Sequence, residues 1–138
     1  MQGIKNIVLL GLWIGLCLMM PKSFLWAGQT LYVGPEGFGH PYASIQTAVD
    51  DAVDGDTILV YPGFYDENLR FYGKAVTVRS EAGPDTTVID GGERGPVVIF
   101  SDSEPRDSVL DGFTLTHGKG YYRAFGGGIF CDNSASAT

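Results

Sequence analysis

The chain is poor in cysteine and in basic side chains: Cys17 and Cys131 are its two cysteines in 138 residues, and 9 Lys+Arg face 16 Asp+Glu. It also lacks an apolar run of bilayer length, which takes about 20 residues; its charge-free stretch IVLLGLWIGLCLMM (residues 7–20) has 14. No Walker-type phosphate loop, nucleophile elbow, Cys-x-x-Cys pair or His/Cys cluster is present. These absences exclude a P-loop nucleotide site, a serine-hydrolase elbow, dithiol redox chemistry and a structural zinc.

What is present falls into two parts. Residues 1–27 join a basic start (MQGIKN), the short apolar run and PKSFLWA. That order predicts a secretory signal cut after Ala27, although Leu25 departs from the small-x-small preference at such sites. Cys17 does not make a lipoprotein site, because Leu16 stands where a small residue is needed. Removing residues 1–27 leaves 7 Lys+Arg against 16 Asp+Glu, a formal net charge of −9, and leaves Cys131 alone. No internal disulfide is then available, and Cys131 reads as a small buried residue rather than a reactive thiol. A strongly acidic exported domain repels phosphate backbones and anionic membrane surfaces, but neither neutral glycans nor cations. The expected location is secreted, extracellular or on the cell surface, with the periplasm as a further compartment, and without a stable membrane span after cleavage.

Residues 28–138 then read as one domain. In SIQTAVDDAVDG the apolar residues Ile45, Ala48, Val49, Ala52 and Val53 recur at the spacing of one buried helical stripe. Ser44 is a good N-cap and Gly55 a good stop, which predicts a helix over 44–54. Three turns of helix do not persist alone in water, so the stripe needs an apolar surface.

Downstream come short β-rich pieces: TILVY (57–61), ENLRF (67–71), AVTVRS (75–80), TTVID (86–90), PVVIFS (96–101), VLDGFTLTH (109–117) and GGIFC (127–131). Turn signals separate them, among them Pro62-Gly63, Gly83-Pro84-Asp85 and Gly91-Gly92. Val76 and Val78 alternate with Thr77 and Arg79, as Phe113 and Leu115 do with Thr114 and Thr116, so one face is buried and one wet. With strand–turn–strand as the unit, units begin near Thr57, Ala75, Pro96 and Gly127, and KGYYRAF (119–125) lengthens the last gap. Spacing of about 20 residues without a second helix predicts a solenoid over 57–138 that stacks parallel strands and lines interior residues in rows. The helix would cover the open first turn of the stack. The competing topology is an antiparallel sandwich.

The segment LYVGPEGFGHPYASIQTAVDDAVDGDTILVYPGFYDENL, followed by AVTVRSEAGPDTTVIDGG and SVLDGFTLTHG, resembles the start of the pectin-lyase-like right-handed parallel β-helix proteins. The likeness spans residues 31–134, and DGFTLTHG and GGGIFCDNS look most like the large bacterial secreted members. It implies an all-β, right-handed parallel β-helix with a short N-terminal capping helix. It does not imply one activity, because lyases, pectinesterases and non-enzymatic surface proteins of this kind share that opening. The Gln-bearing strand and GYQDTL-like stretch expected of a pectinesterase are missing, and the clustered calcium carboxylates and arginine of a pectate lyase are not here. The chain stops at CDNSASAT, where the resemblance implies a further strand, so a fragment truncated after a few coils is expected. Such a stub would stand about 15–20 Å tall, with an uncapped C-terminal coil open to self-association.

Candidate chemistry is sparse. Asp85, Asp90, Asp102, Asp107 and Asp111 lie near turns, where Asp commonly bonds its own backbone; paired carboxylates would be needed for glycoside hydrolysis or calcium. His40 and His117 have no evident partner in the sequence and read as surface or turn residues. Gly126-Gly127-Gly128 precedes a strand rather than a helix, so close backbone packing is expected there instead of an anion cradle. Tyr65 reads as a packing residue. Tyr121, Tyr122 and Phe125, beside Arg123, form an aromatic group suited to stacking on sugars. No catalytic or metal residue is assigned, and no cofactor is evident, Ca2+ lacking a ligand cluster. The expected function is a non-catalytic secreted or cell-surface module with polysaccharide as partner and no nucleic acid. The alternative is the N-terminal portion of a polysaccharide lyase or hydrolase.

Overall fold

In a computed structural model, which describes residues 28–120 and 126–132, every strand pairing is parallel. That removes the antiparallel sandwich. The strands are β1 (Thr30–Val33), β2 (Thr57–Val60), β3 (Gly63–Asp66), β4 (Leu69–Arg70), β5 (Thr77–Ser80), β6 (Thr87–Asp90), β7 (Val98–Phe100), β8 (Val109–Asp111), β9 (Thr114–Thr116) and β10 (Ile129–Cys131). They form three open sheets ordered β1-β2-β5-β8, β3-β6-β9 and β4-β7-β10. From β2 onward the chain visits the first, second and third sheet in rotation, three times over. The predicted signal, residues 1–27, lies outside the described residues; no helix among the described residues is long and apolar enough to cross a membrane.

Two expectations from the sequence need correction. The unit has three strands, not two: Gly63–Asp66, read as a turn, is β3, and 109–117 is two strands. Gly112 makes that break, with φ +81, a left-handed conformation that L side chains resist. The interval between paired strands varies, and the long one expected after Pro96 is present, Val98 pairing with Ile129, 31 residues on. Thr57 pairs with Thr77, 20 residues on, and Thr77 with Val109, 32 residues on. The expected repeat starts mixed strands of different sheets. A further strand, β1, precedes the helix and lies beside β2, so the parallel array begins at Thr30 rather than Thr57.

Alternation places the core. On the first sheet Leu31, Ile58, Val78 and Leu110 stand in register on the inward face, while Tyr32, Leu59, Arg79 and Asp111 form the outward row. On the second, Tyr65, Ile89 and Leu115 face inward. Burial pushes the Tyr65 phenol up to about 12, so it stays protonated and donates to the Tyr61 carbonyl at 2.8 Å. Phe71 and Phe100 fill the space beside the third sheet, ring centroids 4.4 Å apart. The Ser80 and Thr87 hydroxyls, both buried, bond each other at 2.7 Å, and buried Glu104 accepts from the Gly73 and Asp102 amides. Among the described residues no buried side-chain nitrogen or oxygen lacks a partner.

The single described helix, α1 (Ile45–Asp51), lies against β1, β2 and β4 with Ile45, Ala48 and Val49 buried. It is shorter than the expected 44–54. Ala52 is already extended, and Asp56 holds the exit by accepting from the Val53 amide at 2.9 Å and the Gln29 amide at 3.0 Å. That turn, with Gly55 at φ +92, swings Val53 out, leaving it 52% exposed where the sequence pattern placed it inside.

The helix is fastened by side chains from the next strands. Ser44 accepts from the Thr47 amide as N-cap. The Glu67 carboxylate accepts from the Ser44 hydroxyl and the Ile45 and Gln46 amides at 2.8–3.0 Å, placing negative charge where the helix dipole favours it. At the other end the Lys74 ammonium donates to the Val49 and Asp50 carbonyls at 2.8 and 2.7 Å. Between them the Gln46 amide bonds both backbone groups of Arg70, so a side chain stands in for a missing strand at the free edge of β4.

Candidate functional site

The outward row at the end of the second sheet is Asp66, Asp90 and Thr116, in register on β3, β6 and β9. Chain immediately beyond these strands adds Asn68, Arg94 and His117. His117 has φ 48, and its carbonyl accepts from the Glu93 amide, so the strand end is folded back on the Gly91–Arg94 turn. This aims His117 Nδ1 at Asp90 Oδ2, 2.8 Å away. The other Asp90 oxygen accepts from the Gly92 amide at 2.7 Å, an Asx turn of the kind expected for a turn aspartate. Arg94 pairs with Asp66 and donates through Nε to Asn68 at 3.0 Å, while Asn68 donates to the Pro96 carbonyl.

The electrostatics follow from those bonds. The His117 hydrogen bond, then the Gly92 amide, holds the Asp90 carboxyl below the usual range. The bond to Asp90 and its charge raise the His117 imidazole. Raised His117 stabilises the fold fully below its ordinary value of 6.5, and this is lost as pH climbs through the higher folded value. Lowered Asp90 contributes above its ordinary 3.8, and this is lost as pH falls through the lower folded value. The pair therefore contributes most between those two values. An imidazole NMR titration should place the His117 midpoint above 6.5 and Asp90→Asn should bring it down; an unmoved midpoint would refute the pairing.

Chemically the cluster offers one largely exposed imidazole and an orienting carboxylate, the arrangement of a general base with its positioning group. It does not offer a glycosidase pair. Neighbouring strands about 4.8 Å apart bring Asp66 and Asp90 near the spacing of a retaining pair. A general acid, however, needs a raised carboxyl; Asp90 is lowered and Asp66 is taken by Arg94.

The other sequence candidates are dispersed. Asp102 pairs with Arg70, and Asp111 with Arg79, on exposed surface. His40 stacks on Tyr61, far in sequence from any of these acids. Gly127 packs its backbone against Gly118, where a Cβ on either would overlap the other's carbonyl, so close packing explains Gly127 of the triple glycine, while a Cβ at Gly126 or Gly128 would meet no clash. Tyr121, Tyr122 and Phe125 lie outside the described residues. Cys131, expected to be buried, is exposed: it follows Phe100 in register on β10, the outermost strand of its sheet. Its thiol is raised by partial burial and by Glu104, which disfavours the nucleophilic thiolate. No group of three or more His, Cys, Asp or Glu suited to a metal occurs among the described residues.

The Asp90–His117 pair was not foreseen because its members are 27 residues apart and the repeat is uneven; correct register alone brings Asp90 beside Thr116. Comparison with known proteins adds no relative: no model of a protein family, no curated protein and no solved structure matches this chain.

Proposed function

We propose that this chain is a secreted parallel β-helix module of the pectin-lyase-like kind that binds glycans without cleaving them. The observation that carries the reading is the rotation of the chain through three parallel sheets beneath a helix fastened at both ends. Such a rotation is the backbone pattern of a β-helix, and its outward rows present a continuous face of regular pitch to an extended ligand. The acidic balance favours neutral polysaccharide and disfavours nucleic acid. The outermost strands β8, β9 and β10, with Leu110, Phe113 and Leu115 only partly buried, support self-association at that end. The second reading, part of a polysaccharide lyase or hydrolase, draws on Asp90 and His117, a base with its orienting acid.

Incubating the protein with pectins and neutral plant or bacterial glycans separates the two. The expected result is retention on one or more neutral glycans with no new reducing ends and no unsaturated products. Release of either product, abolished by His117→Ala, would establish the enzymatic reading instead.

A further inference from the structure

A separate hollow lies between the loop after β1 and the residues after β2. Pro35, Phe38, His40, Tyr61 and Pro62 line a cavity of about 230 Å³. We propose that it binds a single neutral pyranose unit of a glycan, an inference that rests on the glycan-binding reading above.

The hollow is built rather than incidental. His40 and Tyr61 stack with ring centroids 4.2 Å apart and planes 27° from parallel. A Cβ added at Gly34 would overlap the His40 ring, so the imidazole lies directly on bare backbone, and glycine is required there. Tyr61 is tied by its amide to the Val33 carbonyl at 2.8 Å, and its own carbonyl accepts from Tyr65. The two rings are thus anchored to β1, β2 and β3. Phe38 projects from a loop whose Gly37 and Gly39 both have positive φ, and is 75% exposed, an energetically costly place for a phenyl ring unless something covers it.

The chemistry of the lining selects the ligand. Two proline rings and the exposed Phe38 ring, beside the His40–Tyr61 stack, offer flat apolar contact. Among the described residues, neither ring nitrogen of His40 nor the Tyr61 hydroxyl has a hydrogen-bond partner. A hydrocarbon ligand would bury those polar groups unpaired, which is unfavourable. A pyranose meets both demands, with C–H groups on its face and hydroxyls at its edge. The volume falls below the roughly 300–1,000 Å³ of pockets for drug-sized ligands, which suits one sugar ring. Glu36 on the same loop and the net charge of −7 disfavour a uronate.

The test is NMR titration and calorimetry on the whole chain with neutral gluco- and galacto-oligosaccharides, oligogalacturonate and a proline-rich peptide. A neutral oligosaccharide should shift the His40 and Tyr61 ring resonances. Phe38→Ala and Tyr61→Phe should each weaken it by about tenfold, with the unfolding midpoint unchanged for exposed Phe38. Unchanged affinity in both variants would overturn this site while leaving glycan binding elsewhere intact. Saturation of the hollow by oligogalacturonate or the peptide instead would overturn the ligand class. Failure of every glycan to bind would overturn the site together with the reading it rests on.

Discussion

Phe71→Ala should lower the unfolding free energy by about 4 kcal/mol, within the usual cost of removing a buried phenyl ring. Phe71 is fully buried, and its ring lies tilted at 38° against Phe100, which the parallel register sets one strand further along the third sheet. Its position is fixed from both sides. Arg70 precedes it on β4, and the chain then turns sharply through Tyr72 at φ 55 and Gly73 at φ 71, closed by the Lys74 amide on the Phe71 carbonyl. A backbone so constrained cannot collapse into the space left by the ring, so the cavity term is paid in full. Urea denaturation followed by circular dichroism measures the loss. A change below about 1 kcal/mol would mean that the third sheet does not enclose this ring.

Glu67→Ala should cost about 3 kcal/mol, and Glu67→Gln less. The half-buried carboxylate serves three donors at the start of α1, and hydrogen bonds to charged groups are worth about 1.5–3 kcal/mol. Alanine leaves two helix amides and a hydroxyl without that acceptor; glutamine retains one oxygen but loses the charge that suits a helix start. Because α1 has only seven residues, it has no independent stability to fall back on. The same denaturation experiment reads it, with Asp111→Asn as control. Asp111 pairs with Arg79 on open surface, where such bridges are worth about 0–1 kcal/mol. Equal effects of the two substitutions would show that Glu67 does not fasten the helix.

Both residues illustrate what was and was not legible beforehand. The apolar stripe of the helix and the alternation at Val76–Val78 and Phe113–Leu115 follow directly from period, and Ile45, Ala48, Val49, Val76 and Val78 are buried accordingly. The stripe was overextended at Val53, because the pattern continues past Asp51 while the Asp56 side chain, 3 residues beyond Val53, turns the chain out of the helix. β3 was hidden because Pro62-Gly63 is ordinary turn chemistry and the strand it opens is four residues long. Fastening by Glu67, Gln46 and Lys74 depends on contacts 21–25 residues apart that no local motif announces. A separation of 27 residues likewise hid the Asp90–His117 pair. Tyr121, Tyr122 and Phe125 stood out as a loop of rings, whereas Phe38, His40 and Tyr61 became a group only when β1 was laid beside β2.

Strand direction separates a parallel stack from every antiparallel arrangement of these segments, and backbone NOE measurement on the labelled protein examines it directly. Parallel stacking should give inter-strand amide contacts joining Thr57 to the Thr77 region, Thr77 to the Val109 region, and Val88 to the Thr114 region. Antiparallel neighbours instead bring paired Cα atoms to about 4.5 Å and yield strong Hα–Hα contacts. Contacts of the first kind along these sheets, with Leu69 meeting the Val98 region on the third, are the expected result; Hα–Hα contacts between successive strands would contradict it.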